Sequence, residues 1–357
     1  MSQYHTLEVA EIRAETREAV VVTFRVPLEL RAAFRYTQGQ HLNVRARIGG
    51  EEARRSYSIC AAVQDEQLRI LIKRQPGGLF SNWANDELRA GATLDVMPPA
   101  GLFHVELDPA AARAWLAIAA GSGITPVLSV LKTTLLAEPR SQFTLFYGNR
   151  ASSSIVFREE LADLKDRFLE RFTLVHVMSR EQQDLDLLTG RLTPEKVSAL
   201  LRHWGPLAEM EAVFLCGPHE MNRDLAQVLA SWGYPKAKIK VEQFAANQQR
   251  QRPRPAAAAA AGTDCSQATL ILDGRHYRFP VVRGKESLLE AGLRAGVDLR
   301  YSCKSGVCAT CRAKLLQGEV EMDGNFALED YEIARGFILT CQSYPVTEEV
   351  VVDFDQE

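Results

Sequence analysis

Alternation of apolar and polar positions dominates the first hundred residues. His41–Ile48 sets Leu42, Val44, Ala46 and Ile48 on one side, the period of a half-buried strand. Gly49-Gly50 then reads as a hairpin turn, Arg54–Ile59 as the returning strand and Leu68–Lys73 as another short strand. This rhythm predicts an antiparallel barrel. From residue 114 the pattern changes. Apolar runs at Ala114–Ala119, Phe143–Tyr147, Phe172–Val177 and Ala212–Cys216 alternate with helical stretches near 125–137, 157–167, 194–202 and 218–230. Such alternation predicts right-handed crossovers and a parallel sheet with helices on both faces. Thr125-Pro126 and Thr193-Pro194 both read as a helix N-cap followed by proline at the first helical position. Beyond residue 267 come strand Ala268–Leu272, an Asp273-Gly274 turn, strand His276–Pro280 and a helix from Ser287 to Ala295.

A chain of 357 residues is too long for one ordinary core, and one segment breaks it plainly. Residues 247–266, NQQRQRPRPAAAAAAGTDCS, lack aromatics and apolar periodicity and read as a linker. The alanine run leaves a short surface helix as the other reading. The expected fold is multi-domain: an antiparallel β-barrel over 1–108, an α/β parallel-sheet domain over 109–246, the linker, and an α+β domain over 267–357.

Composition changes this picture little. With 42 Lys and Arg against 45 Asp and Glu the net charge is −3, which gives no reason to expect nucleic acid as a partner. No apolar run reaches membrane-spanning length, and MSQYHTLEVAEIRAE lacks a secretory apolar stretch. A cytoplasmic location, with no membrane partner, is the expectation.

Candidate chemistry is densest in the cysteines. Cys303, Cys308, Cys311 and Cys341 follow C-x4-C-x2-C with a distant fourth, the spacing of plant-type 2Fe–2S ligands. Disulfides fit poorly with neighbouring Cys308 and Cys311 in a chain with no export signal. Zinc sites usually need a second short C-x2-4-C pair, which is missing. Cys60, Cys216 and Cys265 are expected to stay reduced.

Arg55-Ser56-Tyr57-Ser58 lies on the returning strand, where Arg55 and Tyr57 share a face. An arginine forks onto a diphosphate and an aromatic ring covers a flat cofactor, although a solvated arginine beside a core tyrosine gives the same string. Pro76-Gly77-Gly78-Leu79-Phe80-Ser81 then opens a short helix, Ser81–Glu87, whose free amides attract anions. Further on, Gly121-Ser122-Gly123-Ile124-Thr125-Pro126 makes a glycine-rich turn between a parallel strand and a helix. Cys216-Gly217-Pro218 ends the last long strand, with Met221 one turn into the following helix. Arg150 and Ser179-Arg180 follow two strand ends that carry no immediate Asp or Glu, which favours the 2′-phosphate of NADPH over a bare ribose. Solvated surface charges are the alternative.

The R-x-Y-S and G-G-x-x-S strings, the G-S-G-I-T-P turn and C-G-P, in this order, resemble the ferredoxin–NADP reductase superfamily. That resemblance implies a flavin-binding barrel with Arg55 and Ser81 at phosphates, Tyr57 against the isoalloxazine and Ser58 near its reactive nitrogen. Ile72, Lys73, Gly77, Gly78 and Phe80 border the flavin. In the nicotinamide domain it implies Gly121, Gly123, Thr125, Pro126, Arg150, Ser179, Arg180, Gly217, Pro218 and Met221 at the nucleotide, and Cys216 where nicotinamide meets flavin. Ser58 and Cys216 are thereby the expected catalytic pair. Glu242 and Phe244 are expected flavin neighbours, but Gln243 stands where relatives often carry arginine. Residues 268–357 resemble a plant-type ferredoxin of the β-grasp kind, with 15 acidic and 10 basic residues over 267–357, a net charge of −5.

The order flavin, nicotinamide, ferredoxin resembles the reductase components of bacterial multicomponent oxygenases. Arg54–Cys60, Ala119–Pro126, Tyr147–Arg150, Cys308–Cys311 and Val350–Asp355 most resemble the reductases that serve phenylacetyl-CoA epoxidases. This implies FAD, a 2Fe–2S cluster and NADPH, with a di-iron oxygenase component as electron acceptor. Reductases of aromatic dioxygenases or hydroxylases, some of which use FMN, and a non-catalytic redox sensor remain alternatives. No internal pair of E-x-x-H motifs lets this chain perform the oxygenation itself.

Overall fold

The alternating pattern of the first hundred residues resolves into six antiparallel strands in the computed structural model, which describes residues 4–244 and 265–356. They are β1 (His5–Thr16), β2 (Ala19–Arg25), β3 (His41–Ile48), β4 (Glu51–Ser58), β5 (Leu68–Lys73) and β6 (Thr93–Val96), hydrogen-bonded in the order β4-β3-β6-β1-β2-β5. A bridge between Ile59 and Ile70 brings the end of β4 to β5 and closes the barrel. Gly49 and Gly50 both have positive φ, 58° and 89°, which glycine adopts without the steric cost of a Cβ. Leu42, Val44, Ile59, Ile70, Ile72 and Val96 are wholly buried inside. Each such aliphatic side chain contributes about 1.5–3 kcal/mol of transfer free energy.

Five parallel strands follow: β7 (Ala114–Ala120), β8 (Gln142–Asn149), β9 (Phe172–Met178), β10 (Met210–Cys216) and β11 (Ile239–Glu242), ordered β11-β10-β7-β8-β9. Between β7 and β10 the chain reverses its direction of sheet growth. Ligands of open α/β sheets bind beyond the carboxyl ends of the strands at such a switch. Helix α1 (Leu79–Asp86) caps the barrel, and α2 (Ile124–Ala137), α3 (Arg158–Arg167), α4 (Pro194–Trp204) and α5 (His219–Ser231) flank the parallel sheet.

The two lobes are tied by charge as well as by apolar packing. Arg69 on β5 meets Glu160 on α3 at 2.9 Å, while Lys132 on α2 meets Asp65 of the barrel at 2.8 Å and Glu160 at 3.2 Å. The expected boundary at 108/109 lies in the connection from β6 to β7. There the wholly buried Glu138 carboxylate accepts hydrogen bonds from the Asp108 amide, Trp115 Nε1 and Ser141 Oγ.

The described residues divide into two compact units, 4–244 and 265–356. In the second, β12 (Cys265–Leu272), β13 (Arg275–Val282), α6 (Leu288–Arg294), β14 (Arg312–Gln317), β15 (Val320–Met322), α7 (Asp330–Ala334), β16 (Phe337–Leu339), β17 (Ser343–Pro345) and β18 (Glu349–Asp353) follow in order. A mixed sheet β13-β12-β18-β14-β16 buries Leu270, Phe279, Leu288, Leu289, Val350 and Val352 around one core. Helix α6 starts at a capping box: Ser287 Oγ accepts from the Glu290 amide, and the Glu290 carboxylate accepts from the Ser287 amide.

Several expectations need correction. Thr193 caps α4, accepting from the Lys196 amide, but Thr125 caps nothing. Helix α2 begins at Ile124 after a short 3-10 turn over Gly121–Gly123, so Thr125 and Pro126 lie inside its first turn and Thr125 Oγ1 donates to the Ser122 carbonyl. The returning barrel strand begins earlier than Arg54, at Glu51, because the glycine hairpin is tight. Helix α1 begins at Leu79, which makes Ser81 its third residue. The linker reading falls, over 247–264, outside the described residues, and Cys265 and Ser266 open β12.

Candidate functional site

On β4 the pleat turns Arg55 outward to solvent and half-buries Tyr57. Tyr57 packs on Phe80 at 5.8 Å between ring centroids, and Phe80 in turn meets Trp83 edge-on at 5.7 Å. Phe80 and Ile72 are wholly buried in the barrel core, so they back the seat instead of lining an open surface. Ser58 is 3% exposed, and its Oγ has no hydrogen-bond partner. A buried, unsatisfied hydroxyl costs stability unless something completes it. Its place beside Arg55 and Tyr57 fits the polar edge of a flavin ring. The Gly77-Gly78 turn leads into α1 with Gly78 at the N-cap and no side chain filling that role. Ser81 Oγ is used locally, accepting from the Gln75 amide and donating to the Gly78 carbonyl. The turn thus fixes the loop and leaves the start of α1 without a side-chain cap, a place where an anion could be received.

The nicotinamide side is built where β7 and β10 end. A Cβ on Gly123 would lie 2.0 Å from the Cys216 carbonyl oxygen and 3.0 Å from the Gly217 nitrogen. Gly123 has φ −61°, open to any residue, so the position demands space and not backbone freedom. Gly217 is crowded in the same way, by Met221 Cε at 2.4 Å and Ala120 Cβ at 3.1 Å. The two short motifs are therefore one structure, a pair of strand-end turns in backbone contact. Cys216 is wholly buried, and burial first, then the neighbouring Glu242 charge, pushes its thiol well up. Exposed Pro218 starts α5, and half-buried Phe244 packs on the apolar cluster shared by both lobes.

Two residues not among the expected site residues hold this mouth together. Tyr147 on β8 donates its hydroxyl to the Gly121 carbonyl at 2.9 Å. Asn222 on α5 is wholly buried and donates to the carbonyls of Gly217 at 3.3 Å and Glu242 at 3.0 Å. Tyr147 opens the Tyr147–Arg150 string but is not itself an expected site residue, and for Asn222 an asparagine one turn past C-G-P is the signal. Lys73, at the end of β5, is half-buried. Burial lowers its ammonium pKa, Glu18 opposes that, and Arg150 across the lobes lowers it further. The barrel and the sheet thus present two cations to one region.

Burial alone raises the Glu242 carboxyl to about 8. An acid whose folded pKa is raised loses stability as pH climbs from its unfolded value to its folded one, because the unfolded chain releases the proton first. In flavin-free protein, thermal melts should show a midpoint that falls between about pH 5 and about pH 8 and then levels. Glu242→Gln should flatten that stretch. An unchanged slope in the variant would assign the effect elsewhere.

Arg150 and Arg180 follow β8 and β9. The pairing of these strands continues past their ends, with the Ser179 amide on the Asn149 carbonyl and the Arg180 amide on the Arg150 carbonyl, both at 2.8 Å. Both guanidiniums are on exposed residues and stem from neighbouring backbone.

In the second unit Cys308, Cys311 and Cys341 are buried and Cys303 half-buried. The Cys303 thiol lies close enough to those of Cys308 and Cys341, and Cys311 to Cys341, for them to act on one another, so the four sulfurs converge. Among the described residues no three ligating side chains surround one ion position. A two-iron cluster takes four thiolates, and four converging sulfurs match that donor set. The Ser305 amide reaches Cys303 Sγ at 3.4 Å and Thr310 Oγ1 donates to Cys308 Sγ at 3.1 Å. Ser305 Oγ is buried without a partner, ready for an acceptor sulfur. A Cβ on Gly306 would strike the Gly324 carbonyl at 2.7 Å, so the loop closes only around glycine. The residues present fit both a flavin and a 2Fe–2S cluster.

Comparison with known proteins agrees with this division. Residues 6–105 match the oxidoreductase FAD-binding domain, 117–227 the oxidoreductase NAD-binding domain and 270–346 the 2Fe-2S iron-sulfur cluster binding domain. The chain is 43% identical to one of the subunits of 1,2-phenylacetyl-CoA epoxidase from Escherichia coli K12, over 99% of both chains. It is 33% identical to the ferredoxin reductase component of 3-ketosteroid-9-alpha-monooxygenase from Rhodococcus rhodochrous, over 98% of this chain and 96% of that one. Phthalate dioxygenase reductase shares the fold at a TM-score of 0.61 and 24% identity, over 98% of each chain.

Proposed function

The chain belongs to the family of FAD- and 2Fe–2S-dependent reductase components of multicomponent oxygenases, and from that premise we propose that it draws on NADPH and serves a phenylacetyl-CoA epoxidase. The end-to-end likeness to the Escherichia coli epoxidase component supports that acceptor. The sensor alternative is set aside, because the whole chain matches catalytic reductases. No helix among the described residues is long and apolar enough to cross a membrane. A cytoplasmic setting, with reduced thiols and NADPH at hand, fits the reading.

When bound, FAD and the cluster together turn a two-electron hydride donor into a source of single electrons. The protein's own residues bind and orient. Arg55 and the start of α1 would hold flavin phosphates, Tyr57 its ring, and the Ser58 hydroxyl would hydrogen-bond its polar edge. The Gly121–Gly123 turn would receive the nicotinamide nucleotide's diphosphate, with Arg150 and Arg180 on the 2′-phosphate. Cys216, wholly buried beside Glu242, would shape the mouth where nicotinamide meets flavin. Cys303, Cys308, Cys311 and Cys341 would ligate the irons.

Each guanidinium on a phosphate supplies a charge-assisted contact of about 1.5–3 kcal/mol. Arg150→Ala with Arg180→Ala should therefore weaken NADPH by about 100-fold or more in steady-state KM, with NADH changed by less than about threefold. Equal losses with both nucleotides would remove the 2′-phosphate assignment. The acceptor is tested by mixing: NADPH oxidation coupled to product should appear with the other phenylacetyl-CoA epoxidase components and not with aromatic dioxygenase components. The reverse pattern would assign the chain to another oxygenase.

A further inference from the structure

One acidic side chain beside the Arg150–Arg180 pair has no part in that reading. Glu181 follows Arg180 directly, where a free carboxylate would suit a ribose hydroxyl. Its carboxylate is instead turned to the loop after β8. The Ser152 amide donates to one oxygen at 2.8 Å, the Ser152 hydroxyl donates to the other, and Gln183 Nε2 approaches that second oxygen at 3.4 Å. The backbone bonds from Ser179 to Asn149 and from Arg180 to Arg150 lie immediately before. The loops after β8 and β9 are thus stitched at three successive positions, and only the Glu181 stitch is made by a side chain. Among the described residues the backbone pairing between these two loops ends at Arg180. The carboxylate carries the tie between the two loops one position further, to Ser152.

We propose that Glu181 is a positioning residue for nucleotide choice: by engaging Ser152 it steadies the two loops beyond the backbone bond between Arg180 and Arg150, so that the two guanidiniums converge on one 2′-phosphate, and it keeps its own charge turned away from that phosphate. This rests on the NADPH reading and deepens it. Its loss leaves the loops joined by their two backbone bonds alone, and two loosely held cations bind a phosphate less well than two held ones.

The test is calorimetric titration of the intact flavin- and cluster-loaded chain with 2′,5′-ADP and with 5′-ADP. Wild type should bind 2′,5′-ADP at least about tenfold more tightly than 5′-ADP. Glu181→Ala should weaken 2′,5′-ADP roughly tenfold and 5′-ADP by less than about twofold. Glu181→Gln retains an acceptor oxygen for Ser152 and should recover most of the margin. Ser152→Ala, which removes one of the two donors from the other side, should lose part of it. Tighter 2′,5′-ADP binding by Glu181→Ala would mean the carboxylate repels the phosphate. Equal weakening of both ligands would make Glu181 a ribose ligand or a general loop support. Either result overturns the proposal while leaving Arg150 and Arg180 in place. A wild type without preference for 2′,5′-ADP removes the NADPH reading itself, and this proposal with it.

Discussion

Cys308→Ser is expected to erase the visible absorbance of the cluster and to cut NADPH-driven cytochrome c reduction by about two orders of magnitude or more. Ferricyanide reduction should stay within about twofold of wild type. The asymmetry follows from how the chain is built. Cys308 is 6% exposed and hydrogen-bonded by Thr310 within a loop whose other thiols converge on it, and serine offers no thiolate in its place. The flavin and nicotinamide lobes lie in a different compact unit with cores of their own. Losing one ligand in the second unit leaves those cores intact. Ferricyanide takes electrons from the flavin directly, whereas a one-electron protein acceptor needs the outlet. Iron counting beside both assays checks the result, and cytochrome c reduction that survives loss of iron would overturn the electron order.

Gly123→Ala should slow flavin reduction by NADPH about a hundredfold while leaving reduction by dithionite and the thermal midpoint of the second unit unchanged. The added methyl would sit 2.0 Å from the Cys216 carbonyl oxygen and 2.5 Å from its carbon, and both atoms are backbone. No rotamer change relieves that overlap. The turns after β7 and β10 must part by roughly 1 Å, and a displacement of that size at a reacting centre costs about two orders of magnitude. Stopped-flow measurement of flavin bleaching reads the effect. A rate within a few-fold of wild type would show that the two turns move freely and that their contact does not set hydride geometry. Gly49 offers a control. It lies on a barrel hairpin with open space around it, so alanine there meets no atom, although its positive φ adds modest strain.

Local pattern carried much of this protein. His41–Ile48, Leu68–Lys73 and the run beginning at Ala114 stand in the structure as β3, β5 and β7, because period-two alternation and short apolar runs are properties of neighbouring residues. The thiolate spacing is legible for the same reason: three of the four ligands sit on one loop. Where helices begin was less legible. Thr125-Pro126 has the composition of a cap, yet the 3-10 turn over Gly121–Gly123 already starts the coil upstream. A cap is decided by backbone geometry that the dipeptide does not contain.

The amino-acid order by itself determined the three-part architecture, the cofactor classes and the residue types at each site, since these depend on periodicity and spacing along the chain. Only the tertiary structure decided which groups meet. Gly123 rests on Cys216, Asn222 joins Gly217 to Glu242, Ser152 captures Glu181, and Ser58 is left buried with an unsatisfied hydroxyl. The first three pairings join separate elements, so they exist only once the strands have taken the order β11-β10-β7-β8-β9. Ser58's burial likewise waits on closure of the barrel. Contact at a distance is set by sheet topology and by what packing leaves unsatisfied, and neither is written in any local stretch of chain.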